Sequence, residues 1–303
     1  MNIIKNRVVF YVISGIFVGG SIVALALFGL NQGIDFTGGS MLSVRFDSRP
    51  TPVDAEKTLS GLDLGAITIQ PVGDTDMNFR MKTLDEDTHQ KVLTSLRGSY
   101  GTTTELEFNS IGPSVGQELR QKSLTALVIL FLAILAYVAF SFRKVSMPVQ
   151  SWKYGVVTLI SAFHDVSIPV GLFAILGRFA HVEIGTPFIA AVLTIMGYSI
   201  NDTIVVLDRV RENLQRSSGL FEDIVERSVQ QTKLRSLNTS MTTILAMTAV
   251  YFFGGASIKD FALALIVGIA VGTYSSIFIA SPLLVTWNRW DVKRKQQQGK
   301  GKK

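Results

Sequence analysis

"IAAVLTIMGYSINDTIVVLDR", residues 189–209, is the stretch on which the fold turns. It is apolar enough to be read as a membrane span, yet it carries Asp202 between Asn201 and Thr203. A charged side chain near the centre of a spanning helix costs about 2.5 to 3.5 kcal/mol on insertion scales, so a carboxylate there must gain a partner, a proton or a water-filled cavity. At helical spacing Tyr198 and Ser199 lie one turn before Asp202 and Arg209 two turns after it, while the other faces stay apolar. One polar stripe therefore looks into the interior of a bundle, and its neighbours must come from other spans.

The rest of the chain suits the same environment. Of 303 residues, 48% are hydrophobic and 17% charged, with a mean hydropathy of +0.36. That is too apolar for a soluble domain, where about 25% of residues are charged. Six stretches meet or approach the ~20 residues needed to cross ~30 Å of hydrocarbon: 8–30, 121–142, 154–177, 185–207, 237–254 and 261–287. The first follows Lys5 and Arg7 and is too long for the apolar core of a signal peptide, so it is expected to be retained.

Charge sets the orientation. Residues 31–120 hold 13 acidic and 8 basic side chains, a net of −5; the remainder holds 21 basic and 10 acidic, a net of +11, within an overall +6. The cations cluster beside the apolar runs, at Lys5/Arg7, Arg143/Lys144/Lys153, the Arg209–Arg235 connection and the tail "KRKQQQGKGKK". This places both termini in the cytoplasm and the acidic loop outside, with Arg178 and Lys259 as exceptions. The tail is expected to be a solvated anchor beside membrane lipid, with no nucleic-acid partner.

Four segments follow: 1–30, the cytoplasmic N-terminus and first span; 31–120, the outer domain; 121–290, spans two to six with an amphipathic cytoplasmic connector near 218–234; and 291–303, the basic tail. In that connector Phe221, Ile224, Val225, Ser228 and Val229 share a helical face, as in an interfacial helix.

Alternation and turn residues divide the outer loop into strand "SMLSVRF", helix "TPVDAEKTLSGL", strands "AITIQPV" and "MNFRMKT", helix "DEDTHQKVLTSLRGSYG" and strand "TTELEFNSI". This β-α-β-β-α-β order is the ferredoxin-like arrangement. Pro113 then opens a polar helix expected to run into the second span. The fold class is thus a polytopic α-helical membrane protein: six transmembrane helices with an extracytoplasmic α+β ferredoxin-like domain inserted between helices 1 and 2.

Other spans offer partners for Asp202. "LRSLNTSMTT" places Arg235, Asn238, Thr239 and Thr242 at i, i+3, i+4 and i+7, and Arg235 enters from the cytoplasmic side near the depth of Asp202. An Asp202/Arg235 pairing that changes when the carboxylate takes a proton is the expectation. "SAFHDVSIP" adds His164 and Asp165 near mid-membrane, with Pro169 one turn on freeing a backbone carbonyl. Ser199, Asn238, Thr239 and Thr242 read first as interhelical glue, each hydrogen bond contributing about 0.6 kcal/mol. Asp202 reads as functional, because Asn or Ser would supply glue at less cost. Asp165 beside His164 is open between a relay member and a self-neutralised pair. Small residues at Ala264, Gly268, Gly272, Ser276 and Ala280 form a packing seam on the sixth span, with Gly15 and Gly19 a weaker version on the first.

Several functions are disfavoured. With no cysteine and three scattered histidines, neither a disulfide framework nor a zinc enzyme is expected. The chain has no G-x-x-x-x-G-K-[ST], so an ATPase is not expected; neither is a hydrolase, a cofactor or a bound metal. Work must then draw on another source; one charge moved through the membrane field is worth about 2.3 kcal/mol per 100 mV.

"GIDFTGGS" after the first span, "IGPSVGQEL" before the second, and "SAFHDVSIP", "GYSINDTIVVLDRVREN" and "RSLNTS" follow one another on a six-span chain. Over about residues 30–285 this closely resembles the SecF family, the smaller membrane subunit of the bacterial SecD/SecF accessory complex, within the resistance-nodulation-division superfamily. The resemblance implies a motif at Gly33, Asp35, Phe36, Thr37, Gly38 and Gly39, and pairing with SecD, each partner bringing six helices. It implies an inner-membrane motor that assists the SecYEG channel after SecA has used ATP, drawing exported polypeptide outward with H+ or Na+ as coupling ion. Asp202 would be the protonatable carboxylate and Arg235 its responsive partner, with a further carboxylate from SecD. It also implies an outer domain that moves with the cycle, and a separate SecF rather than a fused protein. Two other classes remain: half of an ion-coupled exporter of small molecules or lipids, and a scaffold without ion coupling.

Overall fold

A computed structural model describes residues 2–143, 149–216 and 218–300. Lys144 and residues 301–303 of the basic tail lie outside them. The chain divides into two compact units, residues 1–31 with 125–303, and residues 32–124.

The smaller unit follows the expected strand and helix order. After a short helix, α2 (Ile34–Thr37), come β1 (Gly39–Phe46), α3 (Pro52–Leu59), β2 (Thr68–Val72), β3 (Asp76–Met81), α4 (Glu86–Tyr100) and β4 (Thr103–Ile111). The strands form one antiparallel sheet in the order β2-β3-β1-β4. Alternation on β1 turns Leu42, Val44 and Phe46 into the core, where they meet Met77, Phe79 and Met81 of β3 and Leu93 and Leu96 of α4. The helices start where local chemistry demands: Thr51 caps α3 through the Asp54 N–H at 3.2 Å, with Pro52 in the first turn, and Asp85 caps α4 through the Thr88 N–H at 2.9 Å.

The larger unit is helical: α1 (Arg7–Phe28), the last part of α5 (Pro113–Ser141), α6 (Ser151–Phe179), α7 (Thr186–Arg216), α8 (Phe221–Phe253), α9 (Ala256–Ser275), a π segment (Ser276–Ala280) and α10 (Ser281–Lys300). As expected, α5 begins at Pro113 and continues into the apolar stretch. Among the described residues five helices are long and apolar enough to cross a membrane: α1, α5, α6, α7 and the run Ile258–Gln298. The stretch 237–254, expected as a fifth of six spans, belongs to α8 and is not among them. Its apolar part, "ILAMTAVYFF", is short because Asn238, Thr239, Ser240, Thr242 and Thr243 occupy the turns before it.

The connector near 218–234 also differs from the expectation of a separate interfacial helix. It forms the opening turns of α8, and its apolar face is buried: Val225 and Val229 pack in one cluster with Leu207, Val210 and Leu284, and Ile224 is buried beside them in sequence. The tail side of the last run is likewise tied in. Lys153 is buried against the Trp152 and Trp287 rings, which meet edge to face, and pairs with Asp291, and Arg289 pairs with Glu222. By contrast α1 and α5 leave Val8, Ile16, Phe17, Leu124, Val128 and Leu132 exposed, an apolar exterior suited to lipid.

Candidate functional site

The interior of the helical unit holds two buried carboxylates on different helices. Asp165 of α6 is fully enclosed, at 0% exposure. Its Oδ2 accepts hydrogen bonds from Ser199 Oγ of α7 and, at 2.6 Å, from Ser275 Oγ at the end of α9; its Oδ1 lies 2.8 Å from His164 Nδ1. Ser161, one turn before Asp165, donates to Ser275 at 3.0 Å. Pro169 has no N–H to offer the Asp165 carbonyl four residues back.

Asp202 of α7 is 8% exposed and accepts a hydrogen bond from Ser276 Oγ, the first residue of the π segment. Ser236 of α8, 1% exposed, is on the α8 face turned toward Asp202, and among the described residues its hydroxyl meets no partner in hydrogen-bond geometry. Beyond it Tyr198 donates to Ser240 at 3.3 Å, and Thr273 donates to the same hydroxyl at 2.5 Å.

The glycine seam explains how the helices come this close. A Cβ on Gly268 would collide with the Ile195 side chain, and one on Gly272 would stand 3.2 Å from Ser199 Cβ. Gly268, Gly272 and Ser276 thus lie against α7 of the same chain, bringing α9 within reach of both acids. Gly15 and Gly19 have nothing within 4 Å; the close approach of α1 is instead Ser21 against Gly171 of α6.

Several expected residues lie elsewhere. Arg235, Asn238 and Thr239 are exposed, and among the described residues no ion pair joins Arg235 to Asp202. The reason is helical phase. The face of α8 turned inward carries Thr232, Ser236 and Ser240, each one turn from the next, and Arg235 stands about 100° away beside exposed Leu234. Ser199 serves Asp165 rather than Asp202, Asn201 is exposed, and Arg209 pairs with Glu212 at 2.5 Å. Sequence reading missed Ser161, Ser236, Ser240, Thr273 and Ser275. Their signal was the spacing of Ser228, Thr232, Ser236 and Ser240 by four, and the pair "SS" at 275–276. Among the described residues no group of three or more acids and histidines has metal-binding geometry.

The motif after α1 sits wholly in the smaller unit. Gly38 and Gly39 have φ of 73° and 121°, and a Cβ would stand 2.7 Å from Pro113 Cα at the first and 2.8 Å from the Met81 carbonyl at the second. A Cβ on Gly116 would stand 3.0 Å from the Gly38 nitrogen. Ile34 and Phe36 are buried, and Thr37 donates to the Gly33 carbonyl at 3.0 Å while accepting from Arg80 at 2.7 Å. Asp35 lies in the first turn of α2.

Residues 91–290 match the family described as "Protein export membrane protein SecD/SecF, C-terminal", and residues 23–48 match the "SecD/SecF GG Motif". The chain belongs to the SecD/SecF family. It is 42% identical to the protein translocase subunit SecF of Thermobaculum terrenum, across 97% of this chain and 96% of that protein. It is also 38% identical to the protein translocase subunit SecDF of Thermus thermophilus, across 89% of this chain and 36% of that one. The crystal structure of the Thermus thermophilus SecDF superposes with a TM-score of 0.82 at 34% identity, covering 95% of this chain and 39% of that one. This SecF-family chain is therefore a multi-pass membrane protein and an accessory subunit of Sec translocation, and its length corresponds to about two fifths of the SecDF chain.

Proposed function

We propose that this chain works with SecD as an ion-driven subunit that promotes export of polypeptides through SecYEG, after SecA has acted. The observation that carries the reading is Asp202. It is buried among apolar helices with a serine hydroxyl as its bonded partner, and among the described residues no cation pairs with it. An unpaired buried charge costs several kcal/mol, so neutrality has to be restored by a proton or a sodium ion. That requirement makes occupancy of Asp202 sensitive to the ion gradient, and the gradient can then bias a two-state bundle.

In this reading Arg235 is the responsive cation. It neighbours Ser236, so a turn of α8 by about 100° would exchange a hydroxyl for a guanidinium opposite Asp202. Asn238 and Thr239, on the same exposed side, then belong to the surface offered to SecD; the fused SecDF relatives, in which both halves share one chain, support that partner. The smaller unit is taken as a ferredoxin-like domain outside the membrane that moves with the cycle. The helical unit makes six spans of the bacterial cytoplasmic membrane, with both ends inside.

The test is Asp202→Asn in the complex. It should still co-purify with SecD while losing at least tenfold of ion-coupled export. Normal export from an assembled Asp202→Asn complex would overturn the proposal.

A further inference from the structure

Ser275 and Ser276 are consecutive residues at the point where the last span passes from α- to π-helix, and each answers to a different carboxylate. Ser275 Oγ is 2.6 Å from Asp165 Oδ2 and 3.1 Å from the Gly272 carbonyl. Ser276 Oγ reaches Asp202 Oδ2 and is 3.0 Å from the Thr273 carbonyl. A hydroxyl has one hydrogen, so in each case two acceptors compete for it. An ionised carboxylate wins, because a charge-assisted hydrogen bond is roughly twice as strong as a neutral one. A neutralised carboxyl yields the hydrogen to the carbonyl of the serine's own helix.

Further observations separate this arrangement from inert packing. His164 Nε2, on the ring that meets Asp165 through Nδ1, is buried and among the described residues has no hydrogen-bond partner. The Asp165 carbonyl lacks its helical donor because Pro169 follows. The junction itself is a single π turn, a local geometry that concentrates at functional sites. Among the described residues, the spans packed here also carry Tyr11, Tyr198, Arg235 and Tyr274, but His164 alone of the titratable groups bonds to either acid.

We propose that Asp165 and Asp202 form one ion-coupling unit, joined through Ser275 and Ser276, whose hydroxyls swing between carboxylate and helix carbonyl as either acid changes charge. No proton passes through the serines. A proton or cation arriving at Asp202 stays there; the Ser276 O–H turns to the Thr273 carbonyl, and the neighbouring Ser275, on the same turn, carries the change to Asp165. The α/π junction is then where charge is converted to helix geometry. The inference rests on the proposed role of Asp202 and extends it to Asp165, Ser275 and Ser276 as positioning residues.

The test uses the chain assembled with SecD in vesicles, with ion-coupled export followed against pH. Ser276→Ala and Ser275→Ala should each move the pH profile toward higher pH by about one to two units, the size expected for loss of one hydrogen bond to a buried charge. The double variant should move it no further than the larger single change, and Ser→Thr at either position should restore it. A profile moved by Ser276→Ala and untouched by Ser275→Ala overturns the coupling, as does one that neither change moves. Asp202→Asn separates the two claims: if it is inactive in those outcomes the proposed function stands without this extension, and if it is active the function itself falls. Should the alanine variants not assemble, the infrared carboxyl band lost in Asp202→Asn provides a second reading. That band should shift in Asp165→Asn, and an unmoved band overturns the proposal.

Discussion

The two units treat their charges in opposite ways. On the smaller unit Arg45 bonds Asp76 across β1 and β3 at 2.7 and 2.9 Å, and Lys82 bonds Asp63, all at the surface. In the helical unit Asp165 and Asp202 are enclosed and are held by hydroxyls, and among the described residues His164 is the one titratable partner. Surface pairs are screened by water and contribute about 0 to 1 kcal/mol. Buried carboxylates have no such screening, so their charge state governs the structure around them. The contrast separates acids that decorate a fold from acids that can drive one.

Matched Asp→Asn changes break the comparison most directly. Asp202→Asn should abolish coupled export, as described above, while Asp76→Asn should leave it within twofold and cost the smaller unit less than about 1 kcal/mol. Export assays on both variants in parallel decide it, and a coupling defect in Asp76→Asn would sink the distinction.

The next effect lies in packing. Phe79→Ala removes a fully buried ring from the sheet core and should destabilise the smaller unit by about 3 to 5 kcal/mol, read by faster hydrogen exchange of β1 and β3 amides in the intact complex. Gly268→Leu forces a side chain into Ile195 and should loosen α7 from α9, exposing the carboxylates to exchange while the smaller unit keeps its protection. If β-sheet protection falls equally in both variants, the units are not independent.

The smallest expected effect is a pH dependence. The hydrogen bond from Arg45 holds the Asp76 carboxyl below its usual value of 3.8. A depressed folded-state value contributes stability that is present above about pH 4 and disappears as the pH falls through the folded value. Protection of the β1–β3 amides should therefore decline only below about pH 4, and Arg45→Ala should remove that dependence while costing under about 1 kcal/mol.

How far the sequence discloses these features depends on whether one pattern dominates. In β1 every second residue from Leu42 to Phe46 is apolar, so inside and outside are decided there by local alternation. The long apolar runs of α1, α5, α6 and α7 declare themselves by length alone. In α8 two polar stripes lie side by side, Arg235/Asn238/Thr239 and Thr232/Ser236/Ser240. Periodicity ranks them alike; contact with α7 and α9 selects the second. The π turn was likewise beyond periodicity, because small and polar residues at 272–276 suit either helix type. Asp202 was legible because its cost in an apolar run does not depend on phase, whereas its hydroxyl partners were not.

The junction at Gly38, Pro113 and Gly116 has a mechanical meaning. The strand that enters the sheet and the helix that leaves it touch backbone to backbone, with Gly39 and Ile111 paired directly beside the contact. Side chains absorb load by rotating about their χ angles, whereas peptide planes at van der Waals distance do not. Any displacement of the first turns of α5 therefore arrives at β1 and β4 undamped, and the two glycines make that junction a stiff bearing rather than a cushion.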